Sequence, residues 1–407
     1  MITGLFDGHV HGSASSVDTV AWLSRSFSLQ FFLATVHPRR TRDCGITMVR
    51  DAGGADSGIR EAVARGIIGG HGLQISSTAL GQTGGHIANW FPCSVTVPAE
   101  QLEHPGRPDG LVDGGDHMRR KAREVTRESA DAIKVCTSGG VLSPRDKPHH
   151  SHISAAELDG LVEGASGLGL RVRAHAQGAT GIKASVRAGI RSLARGICLD
   201  EESEELMGER ATWQVPTLSA LLAVVAPAEA GAQLPSPAPE NAKEAVQCHR
   251  KSFQLAGEAG VRIAMGPDRR VGPKGSHLHE LTWMHDYGLA PSAVLTETTS
   301  SAAEFTGVQV TRGSTAAGMF ADLVFVSGSP FEFRRLPGSL SIVFRRASSV
   351  PGDRAKRCGR DFPPAREHRN SREAGIGSRQ PPPSAHSWGI LAKRWLPVSP
   401  KEVLSGC

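Results

Sequence analysis

Gly4-Leu5-Phe6-Asp7-Gly8-His9-Val10-His11-Gly12 is the stretch on which the reading of this chain turns. Leu5 and Phe6 read as a buried strand, and the glycines let the chain turn away after it. His9 and His11 stand two residues apart, so on an extended backbone both imidazoles project from one side. Neutral imidazole is a common metal ligand, and two from one strand end can hold one ion at little conformational cost. A lone H-x-H more often marks exposed loop histidines. Its weight here rests on whether later strands also end in ligand-type residues.

Outward from that stretch, short apolar runs alternate with helix-like segments as far as about residue 305. After the opening strand, strands are expected at 45–51, 73–80, 131–136, 171–175, 191–197, 213–218 and 261–265, with an irregular Pro-bearing insertion over roughly 90–112. Ser154-Ala155-Ala156-Glu157 reads as a capping box ahead of Leu158, Leu161, Val162 and Ala165 at helical spacing. Eight strands, each followed by a helix where one is legible, predict an α/β chain forming a (β/α)8 TIM-like barrel. In that fold catalytic groups lie at the C-terminal ends of the strands. His9, His11, Lys134, His175 and Asp268 all fall at or near such ends.

Composition narrows the class. The chain has 407 residues, ample for one large α/β domain with an appendage. Its seven cysteines are scattered and odd in number and form no C-x-x-C pair, which argues against a disulfide scaffold or structural zinc site and for a reducing compartment. No apolar run is long enough to span a bilayer and nothing resembles a signal peptide, so a soluble cytoplasmic protein is expected. Residues 351–407 hold eleven basic against five acidic residues, which accounts for the whole formal charge of +6. That segment is also rich in Pro, Gly and Ser, so a low-order tail is expected rather than a nucleic-acid arm.

The motifs GLFDGHVHG, GITMVRDAGG, TGGH, DAIKVCTSGGVLSPRD, RAHAQG, VPTL, AGVRIAMGPD and ADLVFVSGSPF, in this order over about residues 4–333, resemble the amidohydrolase superfamily. More narrowly they look like its metal-dependent dipeptidase (Xaa-Pro dipeptidase) and imidazolonepropionase-like branch. The resemblance implies a binuclear zinc-type centre. His9 and His11, with Asp268, would hold the first ion; Lys134, carboxylated on its amine, would bridge both; His175 would bind the second. A Lys ammonium repels cations, whereas a carbamate is an anionic oxygen ligand. A structural salt bridge is the alternative role for Lys134.

Three departures stand against that pattern. The second ion would take another histidine from a strand-six motif like S-I-E-H-G, but this chain has Ser192-Leu193-Ala194-Arg195-Gly196. Arginine stays protonated and cannot ligate, so Arg195 should weaken or abolish that site, leaving two zinc ions in the family but one here. Its guanidinium is expected in or beside the second metal's space, paired with Asp268 or with a substrate carboxylate. At strand eight the usual G-T-D is Gly266-Pro267-Asp268. Only Met1-Ile2-Thr3 precede the first strand, so residues 321–326, a returning strand of the flanking β-sandwich, are expected to lack partners. The domain reading is therefore a barrel over 1–308, a truncated sandwich remnant over 309–350 and the tail over 351–407.

The function so implied is hydrolysis of a C–N (amide or peptide) bond in a dipeptide or N-acyl-amino-acid-like substrate, with a metal-bound hydroxide as nucleophile and Asp268 as general base and then acid. The alternatives are a catalytically impaired relic, and a mononuclear deaminase, against which a carbamate at Lys134 counts. His86, Arg195 and His152 are candidate substrate-binding residues. For His152, with His149 and His150, solvated loop histidines are the plainer reading. His249 reads as a packing or capping residue, and His277, His279 and His285 as surface residues. The partner is a small molecule, with no nucleic acid or membrane, and a homo-oligomer is compatible with the sequence.

Overall fold

The chain opens with β1 (Ile2–Thr3) and β2 (Leu5–Val10), then β3 (Ile46–Asp51), β4 (Gly72–Gln74) and β5 (Ala79–Leu80). β6 (Ala88–Phe91) and β7 (Val95–Pro98) pair as an antiparallel hairpin inside the segment expected to be irregular. β8 (Ile133–Cys136), β9 (Val172–Ala176), β10 (Ser192–Arg195) and β11 (Trp213–Val215) alternate with helices Ala155–Ser166, Ala179–Arg187 and Glu201–Glu209. β12 (Leu323–Val326), β13 (Leu340–Arg345) and β14 (Ser348–Val350) complete the described strands. The structure is a computed structural model. It describes residues 1–13, 22–91, 93, 95–98, 103–141, 146–229, 238–269, 275–346 and 348–350, all within one unit over 1–362. The tail expected over 351–407 lies outside the described residues.

Two parallel sheets carry the strand ends of interest, one ordered β11-β10-β9-β8-β5 and the other β2-β3-β4. Side-chain alternation explains how they divide their labour. In β9, Val172, Ala174 and Ala176 join the apolar cluster beneath the helices, as do Ile133 and Val135 in β8. The intervening Arg173, His175 and Lys134 project to the opposite face and are nonetheless buried. The capping box is present: Ser154 and Glu157 bond each other's backbone N–H at the start of helix Ala155–Ser166.

The expected third strand is broken into β4 and β5. Between them the Asp131 carboxylate accepts the Ile75 N–H at 2.8 Å, and the Asp131 N–H donates to the Ile75 carbonyl. Ser77 turns through φ 55°, so β4 stays with β3 while β5 joins β8. The expected eighth strand is reduced to a parallel bridge between Gln214 and Ile263. Backbone bonds continue from it: Ala264 N–H donates to Gln214 O, Gly8 N–H to Met265 O and Asp268 N–H to His9 O. Gly266 is needed for this approach, since a Cβ there would sit 2.8 Å from the His9 nitrogen and 2.5 Å from Val215 Cγ1.

The expectation that residues 321–326 lack partners is corrected. β12 pairs antiparallel with β1 on one side, Ile2 opposite Val324, and with β13 on the other, giving a four-stranded sheet β1-β12-β13-β14. Two residues of β1 suffice because the strand needs only a short edge partner, and the Gly4 N–H to Asp322 O bond extends the pairing.

Candidate functional site

The end of β2 is held by carboxylates. Asp7 Oδ1 accepts the His9 N–H at 2.9 Å. Asp51, at the end of β3, accepts N–H groups from Gly12 at 2.5 Å, Gly53 at 2.9 Å and Ala55 at 3.2 Å. Burial pushes the Asp51 carboxyl up to about 6 despite those three donors. The loop holding His11 is thereby fixed by a charge that is present at neutral pH.

His9, His11 and Asp268 converge. Their ligand atoms lie within 4.8 Å of one another, all three residues are buried, and they are the trio of metal-ligating types so grouped among the described residues. His9 Nε2 stands 3.9 Å from Asp268 Oδ2, and His11 Nε2 stands 3.6 Å from Asp268 Oδ1. His11 Nδ1 lies 3.0 Å from the Gly53 carbonyl, to which it donates, so its Nε2 lone pair faces the carboxylate. Burial above all holds the His9 and His175 imidazoles well below their ordinary value; Asp268 opposes this at His9, while Lys134 and Arg195 reinforce it at both rings. Neutral imidazoles are the form a metal needs.

Lys134 and His175, one strand apart on β8 and β9, reach the same interior. Lys134 is 2% exposed, and its charge acts on both His9 and His175. His175 Nε2 accepts from the Gln177 amide at 3.0 Å, and His86 stacks on its ring at 4.2 Å between centroids and 25° between planes. His86 thus covers His175.

Arg195 reaches Asp268 directly, Nη2 to Oδ2 at 2.6 Å, with Nη1 3.4 Å from Thr217 Oγ1. Strand alternation would set Arg195 on the side of Leu193. A backbone turn at φ 84° breaks that alternation. Thr217 (φ 54°) and Asp268 (φ 52°) are left-handed too, so the three side chains joined here all rise from strained backbone at adjacent strand ends. Each such residue costs about 1 kcal/mol or more, and strain of this kind gathers at functional sites.

A second polar group lies in the loop after β8. Asp146 is buried; it accepts the Gly140 N–H at 3.0 Å and His152 Nε2–H at 2.8 Å, with His150 Nδ1 at 3.7 Å and His86 Nδ1 at 4.0 Å. Reading the sequence by motif alone passed over Asp146, although it closes the run that also holds Lys134. His152 is therefore a partner of Asp146 rather than a solvated loop residue, whereas His150 remains half exposed. The surface reading of His277 is corrected: its ring is fully buried, with Nε2 3.7 Å from Asp7 Oδ2.

His249 packs as expected, buried with Nε2 3.2 Å from the Arg195 carbonyl. Burial, and then the Arg195 guanidinium, pushes it down to about 3 from 6.5. The unfolded chain therefore takes up this proton first as pH falls. The stability carried by neutral His249 is complete above pH 6.5 and is lost as pH drops toward 3. His249→Gln keeps a donor for the Arg195 carbonyl and removes the titration. It is expected to lose about 2 kcal/mol less stability than wild type between pH 7 and pH 5. Urea midpoints at the two pH values check this; equal losses would assign the acid sensitivity to other groups.

Known proteins share sequence and fold with this chain. A model of the amidohydrolase family matches residues 1–350. Ochratoxinase of Aspergillus niger is 30% identical over 347 residues, covering 82% of this chain and 71% of that protein. Among solved structures, a Xaa-Pro dipeptidase with bound methionine in its active site aligns with a TM-score of 0.78 at 28% identity, covering 86% of each chain. The A. niger ochratoxinase crystal structure aligns at 0.76 and 27% identity, over 86% of this chain and 83% of that one. No helix among the described residues is long and apolar enough to cross a membrane. With a generally metal-dependent hydrolase family matched over residues 1–350 and its ligand types gathered at the strand ends, the chain belongs to the amidohydrolase family.

Proposed function

We propose that this chain hydrolyses a C–N bond in a dipeptide or N-acyl-amino-acid-like substrate at a centre that holds one divalent ion, zinc by preference, instead of two. The reading takes the two parallel sheets as one (β/α)8 ring closed through 261–265, supported by the backbone bonds of Gly8, Ala264 and Asp268. It takes 1–308 as the catalytic unit and 309–350 as the remnant of the flanking sandwich. The observation that carries it is the buried His9–His11–Asp268 trio with Arg195 bonded to Asp268.

The donor set fits a first ion: two neutral imidazoles and a carboxylate are a zinc-type ligand set. A second ion does not fit, because the strand end that should supply a neutral ligand supplies a fixed cation. Lys134 as a carbamate adds an anionic oxygen and relieves a buried pocket otherwise holding two cations, Lys134 and Arg195, around Asp268. Bound at this trio, the ion supplies Lewis acidity and lowers the pKa of water. Asp268 takes the proton of the attacking water and returns it to the leaving nitrogen. Arg195 fixes the carboxylate through Oδ2, leaving Oδ1 toward His11. His86 shields His175, and Asp146 holds His152 in place.

Metal analysis of the purified protein tests the stoichiometry. About one equivalent is expected, falling in His11→Ala and retained in His150→Ala. Two equivalents would overturn the one-ion reading. One equivalent without turnover of Xaa-Pro dipeptides or N-acyl amino acids would favour the second reading, an impaired relic, for which the Arg195–Asp268 ion pair is the specific support.

A further inference from the structure

We propose that Cys198 and Cys248 form a modification site, a pair of thiols that a small-molecule disulfide oxidises to a cross-link clamping helix Ala238–Glu258 to the strand end that bears Arg195. This goes beyond the hydrolytic reading and does not depend on it.

The segment after β10 is laced to that helix residue by residue. His249 Nε2 donates to the Arg195 carbonyl at 3.2 Å. Ser252 Oγ donates to the Ile197 carbonyl at 2.7 Å and accepts the Leu199 N–H at 3.0 Å. Cys198 lies between the two residues held by Ser252, and Cys248 directly precedes His249. The lacing therefore brings the two side chains together, near enough that Cys248 acts on the Cys198 thiol. Cys198 is half-buried beside Ala242, Ala245 and Val246 of the same helix, whereas Cys248 is exposed; both are free thiols.

The two thiols differ in a way that orders the chemistry. Burial, and then the neighbouring Cys248, pushes the Cys198 thiol up to about 12, so it is a poor first nucleophile. The exposed Cys248 reacts first. Its thiolate attacks one sulfur of oxidised glutathione, breaks that S–S bond and releases one glutathione thiolate. Cys198 then gives up its proton, attacks the Cys248 sulfur and displaces the second glutathione. Two protein thiols lose two protons and two electrons, and the small disulfide takes them up as two thiols. The bond closes a long loop across the segment that follows Arg195, adding a constraint where the backbone is already strained.

The test incubates the full chain with oxidised glutathione and maps cysteine peptides by mass spectrometry. Wild type is expected to yield a Cys198–Cys248 linked peptide, while the exposed Cys93 takes a glutathione adduct and serves as the reactivity control. Cys198→Ser should keep a lasting adduct on Cys248, having lost the resolving thiol. Cys248→Ser should leave Cys198 unmodified. The cross-link should raise the melting temperature by about 5 °C over the reduced protein, a rise absent in both variants. Wild-type protein with a lasting adduct on Cys248 and no linked peptide overturns the proposal, as does a Cys248 that takes no part in either product. A linked peptide without the thermal rise overturns the clamp.

Discussion

Arg195→His is expected to add a second metal equivalent and to raise C–N bond hydrolysis about a hundredfold. Three features of the site point the same way. The substitution removes the guanidinium bonded to Asp268 Oδ2, freeing that oxygen. It removes a cation that disfavours positive charge at His9, His175 and His249 alike, and the same field repels an incoming ion. It also suits the backbone, because histidine tolerates the left-handed region at φ 84° somewhat better than arginine. A new imidazole at this strand end would face His175 and Lys134 with the ligand type that the resemblance calls for. Plasma emission analysis of metal content and initial rates on Xaa-Pro dipeptides check the two halves separately. A variant that still takes up one equivalent would place the defect elsewhere, first at Pro267 beside Asp268.

The position of Arg195 was legible because a motif gave it an address; its backbone was not. Nothing in Ser192–Gly196 announces a positive φ, which arises where the strand must leave the ladder and turn its last side chain inward. The same contrast runs through the fold. β2, β3, β8, β9 and β10 follow from short apolar runs that end at or beside a polar residue, and they fall within a residue or two of the expected places. The break between β4 and β5 depends on the Asp131 side chain intercepting Ile75 across 56 positions, an interaction that no local pattern carries. The 261–265 segment reads as a strand by composition but keeps only one bridge. The pairing of β1 with β12 was missed because two residues make too short a run to register as a strand. Asp146 was passed over and His277 read as a surface residue for a related reason: polar residues look exposed in sequence until tertiary packing covers them.

Asp268→Asn, measured on metal-stripped protein, is expected to cost about 3 kcal/mol of stability and to bring metal uptake to zero. The cost comes from what the substitution leaves behind. The Arg195 side chain is 13% exposed and its partner 4%, so the guanidinium would stay largely out of water after losing its counter-ion. An amide can still accept one hydrogen bond from Arg195, but it cannot balance the charge. Stripping the metal matters, because any ion bound only to the folded state would add its own stabilisation and blur the comparison. The double variant Arg195→Met with Asp268→Asn separates the two explanations. If the loss is an uncompensated buried cation, removing that cation should recover at least half of it, giving a strongly non-additive cycle by urea denaturation. If the loss instead comes from the carboxylate's own lost contacts, the double variant would gain nothing over the single one; backbone strain adds nothing, because asparagine tolerates φ 52° as well as aspartate. A single variant as stable as wild type would mean that the Arg195–Asp268 bond is not formed in solution. Asp268 would then act as a base without Arg195 holding Oδ2, and the argument for an impaired site would lose its support.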